Sequence, residues 1–201
     1  MTKAIFLDRD GVINEMVYYP EHGFVDSPFT SSQFALVDDI GKALRSFQEL
    51  GYKLIVISNQ PGIAKGRFSK ATFDKVRKKM NSLLEEESVR LDAEYYCFHH
   101  PQARVPKYRV DCECRKPKPG MLVRAAKDHA ISLDDSVMVG DGLTDVLAGR
   151  SAGCTTVLLA NMNAFLAKLM EERGAEPTYV ARNLAELTDI VKRMNDESEQ
   201  P

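Results

Sequence analysis

Short runs of apolar residues recur along the chain, and each run is bounded by polar residues or by glycine. Such runs are too short for a helix and are typical of strands buried on both faces of a parallel sheet. They predict six strands: Ala4–Leu7, Leu54–Ile57, Tyr95–Phe98, Val137–Val139, Thr156–Leu159 and Tyr179–Val180.

Between these runs, apolar residues recur every three or four positions, which is the spacing of a helix that packs one face on a sheet. In the first such segment, Asp38 or Asp39 is expected to cap the helix and Gly51 to follow its end. The same pattern predicts further helices after Ser69, after Pro119, and across Leu143–Ala152, Ala164–Glu172 and Leu184–Met194.

Strands and helices therefore alternate along the whole chain. Alternation of this kind predicts an α/β fold: a doubly wound, Rossmann-like parallel sheet with helices on both faces and a ligand crevice at the carboxyl ends of its strands. The length of 201 residues suits one domain, which we expect over residues 1–195. Residues 196–201 are polar and lack periodicity, which predicts a disordered tail.

The charge balance limits the kinds of partner. Twenty-seven Lys and Arg against twenty-nine Asp and Glu give a net charge of −2, so no overall basic field favours nucleic acid or anionic lipid, although a local basic patch stays open. No segment approaches the ~20 apolar residues that span a bilayer, and a charge precedes the first apolar run. We expect a cytoplasmic, monomeric protein with no membrane or nucleic-acid partner.

Two carboxylates follow the first predicted strand, at Asp8 and Asp10. A turn is one interpretation, because Asp and Gly are common turn residues. A calcium loop is excluded, because Val12 and Ile13 stand where that loop needs a ligand and a glycine. The catalytic interpretation assigns the two acids different roles: one attacks phosphorus, and the other protonates the leaving oxygen and later activates water.

Polar groups also follow the second predicted strand, at Ser58, Asn59 and Gln60. A hydroxyl and two amides suit phosphate oxygens, although such residues are more often part of a turn or a helix cap. Further along, Arg115, Lys116 and Lys118 stand among prolines that stiffen the backbone. Cations on a rigid segment suit a phosphoryl group, and solvated surface residues are the alternative.

A further carboxylate, Asp141, follows the strand at Val137–Val139. Phosphoryl transfer needs a hard cation, and Mg²⁺ prefers one or two carboxylates together with water and phosphate oxygens. Asp8 and Asp141 are therefore predicted to bind Mg²⁺. Asp145, four residues on, is expected to support this loop or to complement a helix dipole.

Three of the four cysteines, Cys97, Cys112 and Cys114, crowd into eighteen residues beside His99 and His100. A structural Zn²⁺ site uses four nitrogen or sulfur ligands, so the cluster predicts a Cys₃His zinc site within the loop 97–114. Free cysteines buried in a core are the alternative, but the residues between the cysteines are too polar for a core.

Taken in order, four segments resemble the four motifs of the haloacid dehalogenase superfamily of phosphatases: Asp8-Arg-Asp-Gly11, Ser58-Asn-Gln60, Arg115-Lys-Pro-Lys-Pro-Gly120 and Gly140-Asp141. The segment from Ser58 to Gly66 and the cysteine cluster resemble the small branch without a cap domain, which contains heptose bisphosphate and histidinol phosphatases. The resemblance covers nearly the whole chain and implies Mg²⁺ and Zn²⁺ as cofactors.

The resemblance also implies roles for single residues. Asp8 would be the nucleophile, Asp10 the general acid and base, and Ser58 and Lys116 the stabilisers of the phosphoryl group, with Asn59, Gln60 and Arg115 binding substrate. Mg²⁺ would be bound by Asp8, the backbone carbonyl of Asp10, and Asp141. Zn²⁺ would be bound by Cys97, His99, Cys112 and Cys114, with His100 as the alternative histidine.

The implied substrate is a small phosphorylated metabolite, a sugar bisphosphate. Residues 60–66 and the cysteine cluster favour removal of the 7-phosphate from D-glycero-D-manno-heptose 1,7-bisphosphate. The alternative substrates are histidinol phosphate and a polynucleotide 3′-phosphate. The alternative to an enzyme is a zinc-dependent binding module without catalysis. The segment Tyr18–Phe29 is longer than the family pattern, and its aromatic residues are expected either to cover the edge of the core or to touch ligand.

Overall fold

The computed structural model describes residues 2–198. Eight strands and six α-helices follow one another along this part of the chain, joined by loops and one short 3₁₀ turn at Pro106–Tyr108. The strands are β1 (Ala4–Leu7), β2 (Val17–Tyr19), β3 (Phe24–Asp26), β4 (Lys53–Asn59), β5 (Ala93–Cys97), β6 (Val137–Gly140), β7 (Thr155–Leu159) and β8 (Tyr179–Ala181). The helices are α1 (Ile40–Glu49), α2 (Lys70–Glu86), α3 (Gly120–His129), α4 (Leu143–Ala152), α5 (Ala164–Arg173) and α6 (Leu184–Ser198).

Six of the strands form one sheet in the order β5-β4-β1-β6-β7-β8, and every pair of neighbours is parallel. The chain winds outward from β1 in both directions, with β4 on one side and β6 on the other. The order reverses at β1, and a parallel sheet opens its ligand crevice at such a switch point. The carboxyl ends of β1, β4, β5 and β6 therefore meet around one crevice.

Both faces of the sheet are covered, because successive side chains of a strand point to opposite faces. Ile5 and Leu7 face the core formed with α1, α2 and α6, whereas Ala4 and Phe6 face the core formed with α3 and α4. The predicted doubly wound α/β fold is thus confirmed. Within residues 2–198 no inserted segment is large enough to form a cap domain, and no helix is long and apolar enough to cross a bilayer.

All six predicted strands and all six predicted helices are present; β1 and α4 have the predicted bounds, and other elements differ at one or both ends. The helix α6 continues to Ser198 and so includes the first three residues of the predicted tail, 196–198, while residues 199–201 lie outside the described chain. Helix α1 begins after Asp39, as expected, but this residue has a left-handed backbone (φ 64°) and its side chain makes no capping hydrogen bond. Gly51 follows the end of α1 with φ 80°.

The sequence pattern did not predict the antiparallel hairpin of β2 and β3, which lies within the long segment between β1 and α1. Tyr19 stacks on Phe29 with ring centroids 4.3 Å apart. The Arg67 guanidinium lies over the rings of Phe24 and Phe29 and forms an ion pair with Asp26. The hairpin is therefore packed against the loop that follows β4.

Candidate active site

The crevice is built around Lys116, whose side chain is buried although it carries a charge. Its Nζ lies 3.0 Å from Asp8 Oδ1 and 2.5 Å from Asp145 Oδ1, and it donates to the carbonyl oxygen of Ile57 at 2.7 Å. Burial alone would lower the pKa of Lys116, but Asp145 and Asp8 together raise it above its ordinary value. Lys116 therefore stays cationic beside Asp8, the residue that directly follows β1.

Three carboxylates converge at this point: Asp8 after β1, Asp141 after β6, and Asp145 in the first turn of α4. One oxygen from each lies within 4.8 Å of the others. Burial raises the pKa of Asp8 to about 6, against the opposing effect of Lys116. Loss of surrounding water and the nearby Asp8 carboxylate raise the pKa of Asp141 to about 7, although the residue itself is partly open to solvent.

A divalent cation fits this cluster. Carboxylates crowded so closely repel one another, and a hard cation removes that repulsion while using the oxygen ligands it prefers. Gly11 permits the close approach, since a Cβ atom on it would lie 2.0 Å from Asp141 Oδ2. Its φ of +82° also favours glycine over other residues. The sequence Asp-Arg-Asp-Gly thus leaves space for the carboxylate that arrives from β6.

The side chains of three residues donate hydrogen bonds to Asp10. Arg9 donates to both carboxylate oxygens, from Nη2 at 2.8 and 3.0 Å and from Nε at 3.1 Å. Asn14 Nδ2 donates at 3.0 Å, and Gln60 Nε2 donates at 2.6 Å. Arg9 is 1% exposed, and Asp10 and Asp8 raise the pKa of its guanidinium against the effect of burial. Neither Arg9 nor Asn14 was predicted as a site residue.

The three polar residues at the end of β4 face different partners. Ser58 is buried, its side chain lowers the pKa of Asp8, and its Oγ receives a 3.1 Å hydrogen bond from Gln60 Nε2. Gln60 is 1% exposed, so its side chain lies beneath the crevice. The Asn59 amide bonds to the backbone of Lys116, at 3.1 Å from its N–H and 3.0 Å from its carbonyl.

The cations of the loop before α3 separate in the structure. Arg115 is half-buried, and its Nη1 donates to the carbonyl of His99 at 3.2 Å. Lys118 instead lies on the surface, where it forms ion pairs with Asp111 and Glu113. Of the three predicted cations, Lys116 lies in the carboxylate cluster and Arg115 beside the cysteine loop.

The Cys97, His99, Cys112 and Cys114 side chains form a compact cluster. The three Sγ–Sγ distances are 3.6, 3.4 and 3.2 Å, and His99 Nδ1 lies 3.7 Å from Cys97 Sγ and 3.4 Å from Cys114 Sγ. A tetrahedral ion with Zn–S bonds of about 2.3 Å holds its sulfur ligands about 3.8 Å apart. The donor set and spacing therefore fit Zn²⁺.

The histidine of this cluster is His99. His100 Nδ1 instead accepts a hydrogen bond from the backbone N–H of Gln102 at 3.0 Å, outside the cluster. Hydrogen bonds from Cys114 and Cys97 outweigh burial and lower the pKa of Cys112, which favours the thiolate that a metal requires. Burial raises the pKa of Cys97, so its deprotonation depends on a cation nearby.

Comparison with known proteins agrees with this geometry. Residues 113–187 match the model of the HAD-hydrolase-like family. Over 192 residues the chain is 38% identical to D-glycero-beta-D-manno-heptose-1,7-bisphosphate 7-phosphatase of Pasteurella multocida (strain Pm70), covering 96% of this chain and 98% of that protein. The chain belongs to the HAD-like phosphatase family.

Two further proteins place this HAD-like phosphatase among its relatives. The enzyme of the same name from Escherichia coli (strain K12) is 37% identical over 94% of each chain. The crystal structure of D,D-heptose 1,7-bisphosphate phosphatase from B. bronchiseptica, complexed with magnesium and phosphate, has a TM-score of 0.77 and 28% identity, covering 96% of this chain and 99% of the other. The HAD-like phosphatase thus hydrolyses phosphate monoesters on a fold shared along almost its full length.

Proposed function

We propose that this protein is a Mg²⁺-dependent phosphatase that removes the 7-phosphate from D-glycero-D-manno-heptose 1,7-bisphosphate. The observation that carries the proposal is the contact between Asp8 and the buried, charged Lys116 at the carboxyl edge of β1, with Asp10 and Asp141 at the same crevice. The names of the relatives that match almost the full length of the chain support the choice of substrate.

The chemistry follows from the two aspartates of the first loop. An Asp8 carboxylate oxygen attacks phosphorus, the bond from phosphorus to the sugar oxygen breaks, and Asp10 gives its proton to that oxygen. The product is an aspartyl-phosphate on Asp8. Asp10 then takes a proton from water, which attacks the same phosphorus, and phosphate leaves as Asp8 is regenerated.

The remaining groups balance the negative charge that develops on the phosphoryl oxygens. Lys116 Nζ supplies a fixed positive charge next to Asp8, and the Ser58 hydroxyl supplies a hydrogen bond from the adjacent strand. Arg115 binds the substrate beside them. Mg²⁺, bound by Asp8, Asp141 and the backbone carbonyl of Asp10, would screen the anionic nucleophile from the anionic substrate.

We further propose that Zn²⁺ bound by Cys97, His99, Cys112 and Cys114 orders the loop 97–114. Cys114 directly precedes Arg115 and stands two residues before Lys116, so a fixed Cys114 limits where both cations lie. Reduced thiolates of this kind suit a reducing compartment, which supports the cytoplasm as the place of action. Residues 1–195 would act as one domain in a monomer.

The deciding experiment measures Mg²⁺-dependent phosphate release from heptose 1,7-bisphosphates, histidinol phosphate, hexose phosphates and a 3′-phosphorylated oligonucleotide. The Asp8→Asn variant is the control, because it keeps the shape of the side chain and removes the nucleophile. We expect a strong preference for the heptose bisphosphate and loss of release from the variant. Asp8-dependent preference for another substrate would overturn the substrate, and release by Asp8→Asn would overturn the mechanism.

A further inference from the structure

The side chain of Asn59 forms two hydrogen bonds with the backbone of a single residue, Lys116. Its Oδ1 accepts from the Lys116 N–H at 3.1 Å, and its Nδ2 donates to the Lys116 carbonyl at 3.0 Å. Asn59 is the last residue of β4, and 57 positions separate the two residues along the chain. The contact therefore joins the second motif of the crevice to the third.

The segment that carries Lys116 lies outside the helices and the sheet. Its local backbone hydrogen bonds are a turn, from Lys118 N to the carbonyl of Arg115, and a wider loop closure, from Gly120 N to the carbonyl of Glu113. Asn59 presents a donor and an acceptor side by side, which is what a neighbouring strand presents to a residue of a ladder. The amide thus fixes the Lys116 backbone to the end of β4.

The position of the Lys116 backbone decides where its ammonium group lies. From this point the side chain runs into the protein, where Nζ is held by the carbonyl of Ile57 and by Asp8. A charge-stabilising group must sit within a fraction of an ångström of its productive position, so a loose backbone at Lys116 reduces its effect on the transition state.

We propose that Asn59 is a positioning residue for Lys116 and does not bind substrate, contrary to the role that sequence resemblance implied. A primary amide has one carbonyl oxygen and two N–H donors, and the bonds to Lys116 use the oxygen and one of the donors. Asn59 is also half-buried. This inference rests on the proposed function, because it assigns Lys116 to phosphoryl-group stabilisation.

The test uses Asn59→Leu, which keeps a similar volume without hydrogen bonds, and Asn161→Leu as the matched change at an exposed asparagine. We expect Asn59→Leu to lower kcat about 10- to 100-fold while KM changes less than about 3-fold, since an interaction that acts in the transition state lowers kcat. The dissociation constant of orthovanadate, measured by calorimetry with Mg²⁺, should rise about 10-fold. Asn161→Leu should match the wild type in all three.

A double mutant separates positioning from direct contact. In the Lys116→Ala background, Asn59→Leu should lower kcat and vanadate affinity less than about 3-fold further, because the group that Asn59 positions is gone. A large rise in KM, or an undiminished loss in the Lys116→Ala background, would show that Asn59 contacts substrate and would overturn the inference.

Folding is monitored through zinc content and the thermal midpoint. If Asn59→Leu does not fold, Asn59→Asp replaces it, since a carboxylate keeps the acceptor for the Lys116 N–H and loses the donor. A lower kcat with little change in KM would again support the inference, and a large rise in KM would again overturn it. Vanadate binding needs no turnover, so it judges the inference even if Asp8→Asn stays active and the proposed function fails. If Asn59→Leu showed normal Asp8-dependent turnover and the same vanadate affinity as the wild type, the inference about Asn59 would be overturned and the proposed function would stand.

Discussion

Gln60 Nε2 lies 2.6 Å from Asp10 Oδ2 and also donates to Ser58 Oγ at 3.1 Å. One buried amide thus connects Asp10, the proposed general acid and base, to the hydroxyl proposed to contact the phosphoryl group. Gln60 reaches both groups because it directly follows β4, which lies next to β1, and Asp10 lies in the loop that follows β1.

Gln60→Leu should lower kcat about 10- to 100-fold, because it removes one of the three residues that hold the Asp10 side chain in the place that general acid catalysis requires. Gln60→Glu should lower kcat further, since a second carboxylate would face Asp10 at hydrogen-bond distance. Steady-state kinetics on the preferred substrate checks both, with the exposed Gln102→Leu as control. Equal activity of Gln60→Glu and the wild type would contradict this role.

Arg9 is a buried cation that is paired with Asp10 and lies 5.7 Å from the centre of the Phe73 ring. Arg9→Met leaves Asp10 without its main partner, and breaking a buried pair costs about 3 to 5 kcal/mol. We expect the thermal midpoint to fall by roughly 6 °C or more, at about 2 to 4 °C per kcal/mol for a chain of this size. Scanning calorimetry measures it, and Arg104→Met, at an exposed position, should leave it unchanged.

The raised pKa of Asp141 predicts how stability depends on pH without Mg²⁺. The folded protein binds this proton with a pKa of about 7, against 3.8 for the free side chain. Below pH 3.8 Asp141 is protonated in both the folded and the unfolded chain, so it does not reduce the free energy of unfolding. The stabilisation that the proton bound to the folded protein provides is lost as pH rises through 7.

Asp141→Asn removes that dependence. In Mg²⁺-free buffer at pH 8 the thermal midpoint of the variant should lie about 2 to 4 °C above that of the wild type. This corresponds to a gain of ~1 kcal/mol in the free energy of unfolding, once solvent screening of the partly open carboxylate is allowed for. The difference should vanish near pH 4, and Mg²⁺ should raise the midpoint of the wild type only. Thermal unfolding across this pH range decides it, and a variant less stable than the wild type at pH 8 would contradict the prediction.

The cysteine cluster predicts a coupling between metal content and activity. Cys112→Ser should reduce bound zinc well below one ion per chain and lower kcat/KM about 10-fold or more, because the loop that carries Arg115 and Lys116 loses its anchor. Elemental analysis and kinetics measure the two effects. Cys154→Ser changes a buried cysteine outside the cluster and should keep the zinc. Full activity in zinc-free protein would disprove the coupling.

The sequence predicts the sheet well because its central strands β1, β4 and β6 are buried on both faces, so short apolar runs mark them. It also predicts that Asp8, Ser58 and Asp141 lie near one another, since parallel strands bring their carboxyl ends together. The hairpin of β2 and β3 escapes prediction, because its strands have three residues each and are held by Arg67 and Phe29, which lie beyond them in sequence.

The directions of single side chains were harder to predict than the positions of the motifs. Asn59 and Gln60 belong to the crevice by sequence, but their amides bond to Lys116 and Asp10, and only the folded arrangement decides between protein and ligand as the partner. Arg9 gave no local signal, because a charged residue between two aspartates is as compatible with solvent as with the buried ion pair that forms.

Lys116 is 2% exposed, with its ammonium group enclosed by two carboxylates and a backbone carbonyl. Acylating reagents attack the neutral amine of a lysine and need room to approach it. At Lys116 the raised pKa keeps the amine protonated, and the enclosure leaves no room for a reagent. The cation most central to the site is therefore also protected from covalent modification, whereas an exposed lysine such as Lys168 would react first.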